Sequence, residues 1–341
     1  VIDVEPVLIL GGSGQAGAGT AALLRQWHPT LPLTIAGRSI ERAQRVADEL
    51  GSATAVTVDL GRGDLGLPAG SSHSAVVAAI WDDHLHGLRY AQQHGAAYLS
   101  ISSGLVDVAP EVVAGAQRAS ASPILLASHF TAGTGVLAAL HLAREFDRVD
   151  GIAIGVVLDE LDAGGPAGLK DLERLYTAST AGLRRRDGVF TWLLAADAQS
   201  EVRASDGTVL PAQSVPILDV PSLAFATGAA NVRFDYALGE STGRRRGAAP
   251  SLEMRIDVEG VDAAGAPMRT SRYLVHPDGQ RPLTALGVAL GVERLIGLRG
   301  ERARPGIHTP ESLIDPAYAL ERLMEVGASV VEASIPEYRG V

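Results

Sequence analysis

Seven residues near the start of the chain, Gly11-Gly12-Ser13-Gly14-Gln15-Ala16-Gly17, follow directly on the apolar run Val7–Leu10 and leave few folds open. Gly12, Gly14 and Gly17 fit G-x-G-x-x-G. That pattern says little alone and much when a strand precedes it, a helix follows and further βα units continue. All three hold here. Residues 17–27 carry small and apolar side chains at helical spacing, 33–36 read as a second strand, and Ser39 can cap a helix over Ile40–Leu50 that Gly51 stops. Residues 55–58, 75–80, 97–101 and 124–127 read as further strands, with helices over 83–94 and 111–119. Apolar strands alternating with helices make a parallel sheet covered on both faces, so the fold class expected is α/β, a doubly wound parallel sheet. In that setting the first glycine permits the tight turn, the second lets backbone approach a pyrophosphate, and the third allows close helix–strand packing. The helix start adds free N–H groups and partial positive charge.

Past residue 130 the pattern changes. A helix is expected over 134–145, an apolar strand over 151–158, a bend at Gly164-Gly165-Pro166, and a polar helix reaching Arg184-Arg185-Arg186, whose cations would complement its dipole. From 189 to 276 the period is mostly two. Leu252, Met254, Ile256 and Val258 alternate with Glu253, Arg255, Asp257 and Glu259, which predicts a strand with one wet face in a mainly antiparallel sheet. Helices follow over 283–297 and from Asp315-Pro316 to Val326, and the stretch 239–250 reads as a mobile loop. The domains expected are 1–130, 131–300 and a C-terminal segment 301–341 returning to the first. The apolar face of 252–258 needs a covering layer, which points to a homodimer through the middle domain.

Composition narrows the chemistry. There is no cysteine, and Lys170 is the lone lysine, so thiolate chemistry is excluded and any phosphate clamp must use arginine, hydroxyls and backbone. A net charge of −10 argues against nucleic-acid and anionic-membrane partners. No apolar run approaches a membrane span, and acids stand where a signal peptide needs basic residues, so a cytoplasmic location is expected. The second strand ends Ala36-Gly37-Arg38-Ser39, with Arg38 at 21 residues past Gly17. A carboxylate there would select NAD; a guanidinium with a hydroxyl favours the 2′-phosphate of NADP, although an arginine stacked on adenine would serve NAD equally.

The glycine run, Ala36-Gly37-Arg38-Ser39 with Arg42-Ala43, the strand ending Val58-Asp59, and Gly95-Ala96-Ala97-Tyr98-Leu99-Ser100 together resemble the saccharopine dehydrogenase-like family. The resemblance covers the first 130 residues and, more loosely, the last 60. It implies a Rossmann domain with an inserted α+β domain and a last helix returning to the first. It further implies that Gly12, Ser13, Gly14, Gln15 and Ala16 hold the dinucleotide, that Asp59 lies near the adenine, and that Ala79, Ile80 and Trp81 follow the nicotinamide-side strand. Where the family usually has Asn-Ala-Ala-Pro this chain has Ala78-Ala79-Ile80-Trp81, and Ser100 stands where the family often has Asp, so the resemblance does not by itself imply the amino-acid substrates of the best-known members.

For proton transfer His129 is the candidate, because it follows a core strand at the carboxyl end of the sheet. Its alternative is a hinge residue. Trp81-Asp82-Asp83-His84-Leu85-His86 groups four metal-type side chains, but one helix start cannot converge them, so Asp82 or Asp83 is expected as a cap and no metal is expected. Arg233, Tyr236, Arg272 and Tyr273 fall on alternating strands, where an arginine could bind a substrate carboxylate. These features predict an NADP-dependent oxidoreductase acting on a C=N or related bond of a small molecule. An enoyl or keto reductase, and a dinucleotide-binding sensor without turnover, stay open.

Overall fold

Side chains of 7–10, 75–78, 97–100 and 123–126 are all buried, which only central strands of a sheet covered on both faces achieve. The computed structural model describes residues 4–162, 165–178 and 181–333 of the 341-residue chain. In order, the first part gives β1 (Val7–Leu10), α1 (Gln15–Trp27), β2 (Leu33–Gly37), α2 (Ile40–Leu50), β3 (Ala53–Thr57), β4 (Ala75–Ala78), α3 (His86–His94), β5 (Ala97–Ser100), α4 (Gly104–Gln117) and β6 (Pro123–Leu126). Then come α5 (Thr134–Ala143), β7 (Arg148–Asp159), α6 (Gly165–Ala178), β8 (Gly182–Arg186), β9 (Val189–Leu193), β10 (Gln199–Arg203), β11 (Val209–Ser214), α7 (Asp219–Thr227) and β12 (Asn231–Gly239). The chain closes with α8 (Thr242–Arg245), β13 (Leu252–Val261), β14 (Pro267–His276), α9 (Arg281–Ile296), β15 (Gly306–His308), α10 (Pro310–Leu313), α11 (Pro316–Glu325) and β16 (Ser329–Glu332).

Two compact units result. The first comprises Val1–Ala132, Gly164–Leu175 and Thr284–Ile314. Its seven strands, all parallel, run β15-β6-β5-β4-β1-β2-β3. This is the doubly wound sheet expected, with β15 added beyond β6. The order reverses at β1, flanked by β4 and β2, and the carboxyl ends there form the switch-point crevice of such sheets.

The second unit comprises Gly133–Ala163, Tyr176–Leu283 and Asp315–Val341. Its sheet runs β10-β11-β12-β7-β13-β14-β16, with β8 on β12 and β9 on β8. Only β12 and β7 are parallel among its described pairs, so the unit is α+β and mainly antiparallel.

Several expectations change. Arg184, Arg185 and Arg186 lie on β8, not at a helix end, because Asp187 (φ 49°) and Gly188 (φ 82°) form a two-residue hairpin turn to β9. Of the expected bend, Gly164 lies outside the described residues, while Gly165 and Pro166 open α6. The face of β13 read as wet is partly closed: Glu253 is 1% exposed and accepts hydrogen bonds from Thr242 N–H, Thr242 Oγ1 and Ser205 N–H. Those bonds order the stretch expected as a mobile loop. Asp159 adds to them, accepting from the Ser241 N–H and hydroxyl and pairing with Arg244 at 2.9 Å. The opposite face of β13 needs no second chain, since Leu252, Met254, Ile256 and Val258 are at most 1% exposed and Gly135 of α5 packs against Met254. From 301–341, only β15 joins the first sheet; α11 packs on α5 and β16 pairs with β14.

Candidate functional site

The glycines of the β1–α1 turn differ in what the chain itself demands of them. Gly11 has φ +76°, and a Cβ there would meet Ile80. A Cβ on Gly12 would lie 2.8 Å from the Ile9 carbonyl oxygen, and one on Gly17 would lie 2.5 Å from that of Gly11. Packing alone requires glycine at those positions. Gly14 is different: its φ of −82° suits any residue, it is exposed, and an added Cβ would approach only Gly11 O, at 3.1 Å. A side chain there asks that carbonyl to give by only a few tenths of an ångström, far less than at Gly12 or Gly17, and its absence keeps open the surface above the turn. α1 starts at the next residue without a side-chain cap or an acid in its first turn. Its N-terminal N–H groups and dipole favour an anion at that spot.

The rim on the β2 side is assembled around the same turn. Val58 N–H donates to Gly37 O at 3.1 Å, so the segment leading to Asp59 runs alongside the end of β2, and Gly37 approaches the Ser13 hydroxyl. Arg38 is exposed and makes no hydrogen bond or ion pair with the described residues. Ser39 is committed locally: its hydroxyl accepts from Arg42 N–H at 3.3 Å and donates to Glu41 at 2.7 Å. That hydrogen bond lowers the Glu41 pKa, keeping a carboxylate in the first turn of α2, three residues past Arg38. Asp59 accepts from Gly61 N–H at 2.9 Å and stays exposed.

On the other side, Ala79 N–H donates to Leu10 O at 3.1 Å, so the end of β4 runs alongside the turn. Ala79 is buried, Ile80 abuts Gly11, and Trp81 is 41% exposed. The Arg174 guanidinium of α6 lies 3.8 Å from the Trp81 ring centroid, a cation–π contact. Arg174 also pairs with Asp107 at 2.8 Å and Asp171 at 3.0 Å, and donates to Ser102 O. At the start of α6, Gly165 lies against the Gln15 side chain. Residues 165–174, about 14 Å of helix at 1.5 Å per residue, thus extend from the glycine turn to Trp81. Sequence reasoning found Gln15 and Trp81 but missed Arg174, whose partners come from α4 and from chain positions far upstream.

His129 is 5% exposed, and burial drives its pKa down to about 3, so the ring is neutral near neutral pH. The proton-transfer role expected of His129 would need a ring that titrates near working pH, and burial removes that. The backbone beyond is strained: Thr131 (φ 47°) and Ala132 (φ 53°) are left-handed, at a cost of about 1–3 kcal/mol each. Two carboxyls lie buried under the same strand ends. Tyr98 Oη stands 3.4 Å from both Asp82 Oδ2 and Glu111 Oε1, and Ser100 Oγ donates to Glu111 at 3.1 Å. Burial raises the pKa of both acids and of the phenol. One phenol proton cannot satisfy two carboxylates, so the group favours holding an extra proton.

The 82–86 cluster disperses. Asp82 turns inward to accept from the Leu88 N–H of α3, as a capping acid does; His84 bonds Asp83, and the His86 ring donates to Leu60 O. In the second unit Tyr273 donates to backbone carbonyls of Arg203 and Ala204, Arg272 reaches Glu332 at 3.3 Å, Tyr236 is buried, and Arg233 is 56% exposed with Asp235 at 3.5 Å.

No protein-family model matches the sequence, and no curated protein does. Solved structures match the fold. Apo saccharopine dehydrogenase (L-Glu forming) from Saccharomyces cerevisiae superposes with a TM-score of 0.65 at 13% identity, over 96% of this chain and 100% of that one. Homospermidine synthase from Legionella pneumophila in complex with NAD gives 0.63 at 10% identity, over 100% of this chain and 94% of that one. The chain therefore has the saccharopine dehydrogenase-like Rossmann fold expected from its sequence.

Proposed function

We propose that the chain is a nicotinamide-dinucleotide-dependent oxidoreductase, using NADP in preference to NAD, that reduces or forms a C=N or related C=X bond in a small metabolite. The observation that carries this reading is Gly14. It lacks a side chain where, of Gly11, Gly12, Gly14 and Gly17, the fold resists one least, at the uncapped start of α1, which is where a pyrophosphate would need bare backbone. The two similar folds are those of a dehydrogenase and of an enzyme solved with NAD, which supports a dinucleotide here.

Gly12, Ser13, Gly14, Gln15 and Ala16 would hold the diphosphate. Arg38 would meet the 2′-phosphate, Asp59 the adenine side, and Ala79, Ile80 and Trp81 the nicotinamide side. A bound reduced dinucleotide supplies hydride at its nicotinamide C4. The chain must then place the substrate carbon against that atom and manage one proton. His129, being neutral, serves that step as a hydrogen-bonding group that orients the substrate heteroatom, and does not act as an imidazolium donor. Within the same enzyme class, reduction of C=C or C=O fits the geometry equally.

Arg38 gives the direct test of cofactor choice. A charge-assisted contact contributes about 1.5–3 kcal/mol, roughly 10- to 150-fold in affinity. NADPH is expected to bind tighter than NADH, Arg38→Asp to reduce or reverse that order, and Glu41→Gln to widen it. Equal affinity of the unaltered protein for both dinucleotides would overturn the NADP assignment. Binding without oxidation of NADPH by any imine, carbonyl or enoyl substrate would favour the sensor reading.

A further inference from the structure

We propose that β9 is a homodimerisation strand, pairing antiparallel with β9 of a second copy of this chain across a two-fold axis at Thr191. The chain is poor in aromatics, with five Phe and three Trp. Three of these eight rings are exposed on one patch of the second unit: Phe190 at 36%, Trp192 at 53% and Phe225 at 76%. The Phe190 and Phe225 ring centroids are 5.6 Å apart. Leu194, 66% exposed and just past the end of β9, continues the face that carries Phe190 and Trp192, while Val189, 64% exposed, lies on the other face. Soluble chains rarely leave aromatic groups of this kind in water unless something covers them.

The backbone of β9 points to what covers them. Among the described residues β9 pairs only with β8, so its outer edge presents unpaired N–H and C=O groups. Its sequence, Val189-Phe190-Thr191-Trp192-Leu193, contains no charge and no proline, the devices that keep open edges from pairing. Among the described residues the other two open edges of this sheet carry such charges, Glu201 and Arg203 on β10 and Glu332 on β16. An antiparallel pair centred on Thr191 is self-complementary. Phe190 of each copy then faces Trp192 of the other, giving two cross-strand aromatic pairs. The four exposed apolar side chains of that face leave on the order of 500 Å² open per copy, given aromatic side chains of about 150–250 Å². Two copies thus bring up to about 1,000 Å² together before backbone is counted, the lower bound of a specific interface.

Light scattering of the unaltered protein at micromolar concentration is expected to give twice the chain mass, and Trp192→Glu or Phe190→Pro, which removes an N–H that points away from β8, to give the chain mass with circular dichroism unchanged. Truncating a central aromatic should weaken association about 30-fold or more. Because the chain has no cysteine, Thr191→Cys provides a single thiol. Cα atoms facing across an antiparallel pair lie about 4.5–5.5 Å apart, within disulfide reach. Mild oxidation should therefore yield a covalent dimer from Thr191→Cys and none from Val331→Cys, on the far strand β16. A monomeric unaltered protein overturns the proposal. So does a dimer that survives both Trp192→Glu and Phe190→Pro, or one that Thr191→Cys fails to cross-link.

Discussion

Buried titratable side chains give this protein a pH response that belongs to single residues. His73 is 7% exposed with Nδ1 3.1 Å from the Tyr90 hydroxyl, and burial, with His94 nearby, lowers its pKa to about 4. The unfolded chain takes up a proton near pH 6.5 that the folded chain refuses. The contribution is therefore present above 6.5 and lost as pH falls toward 4, on the order of 2–4 kcal/mol. Thermal denaturation from pH 7 to 4 should show a steeper loss in the unaltered protein than in His73→Gln; parallel slopes would contradict the assignment. Glu111 works in the opposite sense. Its folded pKa is raised, so its contribution is full below about 4.5 and is lost as pH rises through the raised value. Glu111→Gln retains hydrogen-bonding groups toward Tyr98 and Ser100 and should gain stability relative to the unaltered protein between pH 5 and 8. No relative gain over that range would mean that Glu111 is ionised in the fold. None of this was legible in sequence, because a glutamate at the start of a helical pattern carries no mark of the phenol and second acid that close over it.

Elements were legible where one residue fixes a boundary. Ser39 and Gly51 delimit α2 as expected, and β1 matches its apolar run. α3 starts three residues later than the pattern suggested because Leu85 is left-handed (φ 54°), while Asp82 reaches back to the first turn. The β8–β9 hairpin has its signal in Asp187-Gly188 between two short runs, and the three arginines before it fit a helix end equally well. α7 hides in a stretch of period two, where no cap residue announces it: its N-cap is Leu218. For α6 the composition suggested a solvated helix, yet Arg174 ties it to Trp81, Asp107 and Ser102. Arg174→Ala leaves Asp107 without that partner and frees the Trp81 face. It should lower the unfolding free energy by about 1–3 kcal/mol and speed proteolytic cutting within α6. Unchanged transitions and unchanged cutting would show that these contacts do not hold the helix.

At the scale of the molecule, the alternation of strands and helices made the first unit readable, since each strand is buried on both faces and reads as a short apolar run. The second unit was readable only as a class. Its polar face on β13 is closed by the Glu240–Arg246 region through Glu253 and Asp159, and buried carboxylates that hold backbone N–H groups look the same in sequence as wet ones. The division of the last 40 residues was hidden for a related reason: β15 and β16 are short strands whose partners, β6 and β14, lie in different sheets. Among the described residues no helix is long and apolar enough to cross a membrane. The central claim remains the dinucleotide at the glycine turn, and Gly14 isolates it from the fold. Calorimetric titration of NADPH into the unaltered protein and into Gly14→Val, with the thermal transition of each recorded, tests it most directly. The account expects binding to the unaltered protein, none to Gly14→Val, and transitions within a few degrees of each other. Tight NADPH binding to a folded Gly14→Val would contradict it.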